Sequence, residues 1–356
     1  MTVEVDALPR ASGPTATAPS APAGAPARER AAGARLARLR RLAVLVLRPL
    51  GVFLPVLLLG TFITFLLGAL TGLSPAYVQL GEAATPEAVA RLNHEWGLDR
   101  PFLERYLSWL GQLLHGDLGT SWLNGISVTD QLVQRMGVSL SVASVALVVG
   151  IVVGSLLGVT AALTATSPLD RAITALVSAF SVLPPFIVGI TLVAVFAVGL
   201  RLLPSAGFVP LEDGFGSWLG HIILPAIALS LDTVAALARQ LRAGIVGAYR
   251  ENYVLGALVR GLSPRRVFLV HVLRNGAGPS LALLGLHFPN LLGGAVVTET
   301  IFALAGYGVF AADSALHGDV PAVQGVLVVS IVLVVVFNVI VNVILNRIVP
   351  SAARGI

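Results

Sequence analysis

The chain has 356 residues, 56% of them hydrophobic and only 12% charged, with a formal net charge of +5 and a mean hydropathy of +0.88. A soluble domain carries roughly a quarter charged residues, so most of this chain must be hidden in a bilayer. It has no cysteine and all 23 basic residues are arginine, which excludes disulfides, thiolate metal sites and the lysine of a nucleotide-binding P-loop.

Met1 to about Ala32 is rich in Ala, Pro, Ser, Thr and Gly and too poor in apolar residues to build a core. A disordered tail is expected over residues 1–41. The first apolar run comes too late for a cleavable signal peptide. Arg28, Arg30, Arg35, Arg38, Arg40, Arg41 and Arg48 surround its start, which places the N-terminus on the cytoplasmic side. A span needs about 20 apolar residues. The first is read at Val46–Leu70, inside a segment covering residues 42–71.

A polar insert follows over residues 72–136 and reads as two helices lying outside the membrane. Thr85-Pro86-Glu87 is a start signal, with a capping hydroxyl, proline at the first helical position and an acid in the first turn. That helix stops at Gly97, and Asp99 is expected to cap the second. Phe102, Tyr106, Trp109, Leu110 and Leu113 then recur at helical spacing and give it one apolar face. The pair either covers the outer ends of the spans or helps dock an external delivering protein.

Residues 137–350 hold five further spans, read at Ser139–Thr164, Ile173–Val198, Ile222–Ala243, Pro279–Phe302 and Val326–Ile348. Gly150, Gly154 and Gly158 repeat every fourth residue in the second span, spacing that lets helix backbones approach closely. They pack either within this subunit or against another. Pro184 and Pro185 should kink the third span, and Pro225 the fourth. The loops at Gly199–Gly220 and Ala303–Gln324 carry Glu212, Asp213, Asp313 and Asp319 against Arg201 alone, as outward loops do. Six spans return a short tail, residues 351–356, to the cytoplasm, in agreement with Arg347 and Arg354. The arginines thus sit near membrane ends, and no nucleic-acid partner is expected.

Few polar side chains lie in the spans. Asp232 sits in the fourth, and His287, Asn290 and Glu299 in the fifth. Ionisable groups at membrane depth are costly and by default face a bundle interior or water. These four are the candidates for a translocation pathway. Plainer readings stand beside this one: Asp232 as a partner of Arg239, His287 as a packing histidine and Glu299 as a residue near the outer interface. The six histidines are scattered with no metal-ligand spacing, and no Gly-x-Ser-x-Gly elbow occurs, so neither a metal centre nor a catalytic site is expected.

The loop between spans four and five, residues 247–275, is rich in arginine, with Glu251 the one acid close by. It reads as a short helix from Glu251 to Val259, stopped by Gly261, with Ser263-Pro264 opening the next helix. A short helix joined to two spans is a lever, since force on it moves both. Ala257 lies one turn before Gly261 on the same face, which suits a helix entering a groove on another protein. Arg260, Arg265 and Arg266 are placed either for acids on such a protein or for membrane lipid headgroups.

This loop resembles the coupling loop of ATP-binding-cassette importer permeases of the dipeptide, oligopeptide and nickel group. The resemblance rests on Tyr253-Val254, Ala257, Gly261, Leu262, His271 and Leu273-Arg274-Asn275. Leu255, Gly256 and Val259 depart from the residues usual there. Further matches are Gly97-Leu98-Asp99-Arg100-Pro101, Leu183-Pro184-Pro185-Phe186, Leu203-Pro204-Ser205-Ala206-Gly207, Leu224-Pro225-Ala226 and Gly306-Tyr307-Gly308. Their joint order covers about Arg41 to the end.

The resemblance implies an all-α integral membrane fold: six transmembrane helices, an external helical insert between spans one and two, and a cytoplasmic coupling helix between spans four and five. It implies a multi-pass protein of the bacterial cell membrane that is a transport subunit and no enzyme. Its partners would be a second homologous permease, one or two ATPase subunits and an extracytoplasmic substrate-binding protein. No cofactor is expected in this chain, because ATP and Mg would sit on the partner subunits. Glu251, Tyr253, Val254, Ala257, Gly261, Leu262 and His271 would couple to the ATPases. Peptides are the substrate favoured, with nickel or another small solute as the alternative. A stand-alone channel or secondary carrier would need more charge within the membrane or an inverted repeat.

Overall fold

The computed structural model describes residues 51–348 except 52 and 71–73. The expectations for residues 1–41 and 351–356 therefore lie outside the described residues. Helices build the structure, and among the described residues the only β feature is an isolated bridge between Thr120 and Ser127.

Helix α1 (Phe53–Leu70) is the first span. The insert contains α2 (Pro75–Leu80), α3 (Pro86–Glu95) and α4 (Phe102–Leu114). Thr85 caps α3 as its sequence dictates, with Oγ1 accepting from the Ala88 amide at 3.2 Å. Asp99 does not cap α4. Pro101 occupies the position before α4, and the Asp99 carboxylate instead lies 2.7 Å from His94 Nδ1. That imidazole holds the Asp99 carboxyl below the usual carboxylate range. Tyr106 and Trp109 of α4 are buried, and Phe62 and Phe65 of α1 meet Phe102 and Tyr106 edge to face. The Tyr106 hydroxyl lies 3.0 Å from Thr61 Oγ1, so the insert is bolted onto the first span.

Helix α5 (Val128–Leu163) is the second span and α8 (Phe215–Tyr249) the fourth, while α6 (Pro168–Val182) and α7 (Pro185–Leu192, continued by a wider turn to Gly199) stand in the place of the third as a bent pair, so the described residues hold five continuous spans, or six if the pair crosses as one. Helices α5 and α8 begin well before the apolar runs they carry. At about 1.5 Å per residue each exceeds the roughly 30 Å of a bilayer core. Hydropathy marks the membrane-embedded part of a helix and is silent about a polar extension such as Gln131 and Arg135, which continue α5 beyond its apolar run. The third span is not the single kinked helix expected over Ile173–Val198: its two pieces meet at 100°. Leu183 and Pro184 between them are both extended. A residue before proline is pushed out of the helical region, and two prolines in succession make that a break. Pro225, by contrast, lies inside an unbroken α8.

Helix α8 is the hub: 72% of its most apolar stretch is buried, against 39% or less in the other continuous spans. The glycines of α5 settle on it. A Cβ added to Gly150 would lie 2.7 Å from Thr233 Cγ2, and one at Gly158 would lie 2.8 Å from the Ala238 carbonyl oxygen. The small-residue stripe is thus packed within this chain. An ion pair adds a second tie. Arg242 of α8 donates from Nε and Nη2 to the two carboxylate oxygens of Asp170 in α6, each at 2.6 Å.

After α8 come α9 (Asn252–Val259), α10 (Pro264–Arg266), a π-type stretch over Val267–Val272 and α11 (Leu273–Gly276). Helix α12 (Gly278–Ile301) is the fifth span, α13 (Tyr307–Leu316) follows, and α14 (Val320–Ile348) is the last span. Asp319, counted in sequence among outward charges, is buried. Its carboxylate accepts from Ser121 Oγ at 2.5 Å and from the Trp122 amide at 3.2 Å.

Candidate functional site

The break in the third span opens a cavity of about 330 Å³. Its walls are the end of α6, the Leu183-Pro184-Pro185 break, the middle of α8 and the middle of α12. Asp232, His287 and Asn290 all line it, so three of the four polar residues singled out in the spans are brought together. His287 and Asn290 share a face because they are three residues apart on one helix. His287 Nδ1 lies 3.2 Å from Asp232 Oδ2, an ion-pair distance whose angle falls short of a hydrogen bond. The Asp232 side chain is 56% exposed and that of His287 16%. The carboxylate therefore faces open space, with the imidazole behind it. Further along α8, Arg239 donates from Nη1 to the hydroxyl of Ser181, itself on the cavity wall.

Glu299 does not join them, and its reading as a pathway residue is corrected. Its side chain is fully buried on the far side of α12. It accepts from Ser139 Oγ of α5 and, at 2.9 Å, from the Val309 amide of α13. Ser139 Oγ in turn accepts from the Tyr307 amide at 2.7 Å. The knot joins three helices and leaves the carboxylate no access to a pathway. Burial pushes the neighbouring Tyr307 hydroxyl up to about 12, so it stays protonated and donates to the Val326 carbonyl of α14.

Helix α9 separates its residues onto two faces. Val254 and Ala257 are buried against Leu241, Ile245 and Ala248 of α8 and against Val267 and Val272. Ala257 is 0% exposed, so its expected place in a groove on another protein is corrected: its small size lets α9 lie on the chain's own core. Tyr253, Leu255, Leu258 and Val259 face outward, Val259 at 80% exposure. Glu251 is exposed just before the helix and makes no capping bond. Gly261 ends it at a φ of +79°, a left-handed conformation that glycine adopts at little cost. Leu262 is half-buried and packs with the same core. His271 lies in the π-type stretch, and its carbonyl accepts from Asn275 Nδ2 at 2.7 Å.

Four of the side chains that hold these groups in place had no local signal: Ser181 beside Arg239, Ser139 beneath Glu299, and the Asp170–Arg242 pair. The nearest two of these partners are 58 positions apart in sequence and the farthest 160.

Residues 150–354 match the family described as binding-protein-dependent transport system inner membrane component. Residues 41–143 match its N-terminal companion. A di/tripeptide transport system permease protein of Pseudomonas aeruginosa is 34% identical over 311 residues, covering 81% of this chain and 93% of that protein. The dipeptide transport system permease protein of Escherichia coli is 33% identical over 314 residues, with the same two shares of 81% and 93%. A protein named for a peptide transport system permease in Brucella abortus is 36% identical over 283 residues, 80% of this chain and 90% of its own length.

Proposed function

This chain belongs to the family of binding-protein-dependent transport system inner membrane components, and from that premise we propose that it is one membrane-spanning half of an ATP-driven importer of short peptides. A second permease would complete the pathway. An external binding protein would deliver the peptide, and ATP with Mg would act on separate ATPase subunits.

The observation that carries the reading is the two-faced helix α9. Its inner residues fasten it to α8, and its outer residues, Tyr253, Leu255, Leu258 and Val259, present an apolar face on a loop otherwise rich in arginine. Exposed apolar patches rimmed by polar residues mark contacts with other proteins. Closure of the ATPases would move α9. Helix α8 continues from α9 to the cavity wall, and the Asp170–Arg242 pair takes α6 with it. The broken span and the cavity would then change shape together.

Leu258→Asp tests the reading without touching the core. The expected result is a folded protein in normal yield that retains less than about a tenth of its ATPase subunits on purification, since a carboxylate buried without a partner costs more than 1.4 kcal/mol. Uptake of labelled dipeptide into vesicles, dependent on ATP and on the binding protein, should fall equally. Wild-type ATPase retention and uptake in this variant would overturn the coupling role.

We place both termini and the α9 loop on the cytoplasmic side and the insert outside, following the arginine distribution. The chain has no native cysteine, so a single cysteine at the exposed Gln112 reports on one site. It should react with an impermeant thiol reagent on intact cells lacking the outer barrier. Reaction only after the membrane is opened would reverse the orientation.

A further inference from the structure

Helix α8 carries two opposite charges that the fold holds apart. Asp232 and Arg239 are two helical turns apart on one face, a rise of about 10 Å. Both side chains are exposed. Charges at membrane depth are expensive, and direct pairing is the usual relief. Here the two are not paired with each other, and each has its own companion. Asp232 has the His287 imidazole at 3.2 Å, and Arg239 donates to the Ser181 hydroxyl. Ser181 and Asp232 line the same cavity, so the carboxylate lies on its wall and the Arg239 guanidinium is tied to its edge through Ser181. A wall of this kind is completed by a ligand with a cation at one end and an anion at the other.

Resting on the reading of the chain as a peptide permease, we propose that this face of α8 is a clamp for the two termini of a short peptide. Asp232 receives the terminal ammonium and Arg239 the terminal carboxylate. The spacing sets the length. An extended chain spans at most about 3.3–3.6 Å per residue, so a tripeptide reaches both charges and a dipeptide reaches them only with the arginine bent inward. A cavity of about 330 Å³ accommodates side chains of that many residues. Asn290, facing the cavity from α12, supplies an amide that can both donate to and accept from the peptide backbone. Both terminal contacts are charge-assisted, and a guanidinium holds a carboxylate through two parallel hydrogen bonds. Capping either terminus removes one contact and leaves a protein charge unanswered.

The test is direct binding of a labelled tripeptide to the purified complex of both permeases and the ATPases, without the binding protein. Three forms are compared: free, N-acetylated and C-amidated. The free form should bind about tenfold more tightly than either capped form, the effect of losing one charge-assisted bond. In Asp232→Asn the penalty for acetylation should vanish while that for amidation remains. Arg239→Gln should show the reverse. Equal binding of the three forms by the wild type overturns the clamp, as does a variant that weakens all three equally. Loss of the second permease from either variant on purification also overturns it, by placing these charges at a subunit contact. Uptake of the free tripeptide with the binding protein present is measured alongside. If uptake is normal while the capping pattern is absent, the clamp fails and the peptide reading stands. If the wild type neither binds nor takes up the peptide, both fail.

Discussion

Gly244→Val is expected to remove most of the folded protein from the membrane. Gly244 of α8 and Gly276 of α11 cross backbone to backbone. A Cβ added at Gly244 would lie 2.1 Å from the Gly276 carbonyl oxygen, and one at Gly276 would lie 2.8 Å from that of Gly244. Neither neighbour is a flexible side chain that can swing aside. Overpacking in a close-fitting core costs about 1–3 kcal/mol, and more where backbone must move. A loss of more than about 3 kcal/mol is therefore expected, a large part of a typical folding stability. The same crossing seats α9, since Ile245, Ala248 and Val272 around it also cover Val254 and Ala257. Thermal unfolding of the purified protein and its yield from membranes read the effect. Gly247→Ala is the control on the same helix: nothing lies within 4 Å of its added Cβ. That variant should be neutral or gain a few tenths of a kcal/mol in helix propensity. Matching yields and midpoints for the two variants would show that the helices do not cross in contact.

Glu299→Leu should be comparably damaging, and for an electrostatic reason. The carboxylate is the acceptor for Ser139 Oγ and for the Val309 amide. Leucine leaves both donors buried and unanswered, at a cost of about 1–3 kcal/mol for each group. It also needs room where an added Cβ at Gly306 would already lie 2.2 Å from the Glu299 carboxyl carbon. Glu299→Gln keeps the shape but turns one acceptor into a donor facing a donor, so a loss of about 1–3 kcal/mol is expected. Transport per assembled complex should hardly change in Glu299→Gln, because the group lines no pathway. If its unfolding midpoint is unmoved and its peptide uptake collapses, the carboxylate belongs to the pathway after all.

These two variants mark where sequence reading stops. Glu299 and Asp232 look alike in sequence, each a lone acid in an apolar span. One is the centre of a buried knot and the other faces a cavity, and nothing within a few residues of either separates the two cases. Gly150, Gly154 and Gly158 were legible as a contact stripe because helical periodicity aligns them, but the surface they meet is 83 residues further along, at Thr233, for the first of them. Ala257 was legible as a small residue on a short helix. Its inward orientation was not, because that depends on which side of α9 meets α8.

By itself the sequence determined the properties that act over one or two turns. Apolar run length set where the continuous spans lie, since lipid offers no partner for exposed backbone and demands helices of that length. Thr85 and Pro86 set the start of α3, Gly261 the end of α9, and Pro184 with Pro185 an interruption in the third span. Tertiary structure decided what depends on approach between distant segments: the 100° angle of that interruption, the burial of α8, the knot under Glu299 and the cavity shared by Asp232, His287 and Asn290. The physical reason is range. Caps, prolines and hydropathy act through bonds and neighbours along the chain, whereas burial and pairing of charges act through space and exist only once the helices have packed.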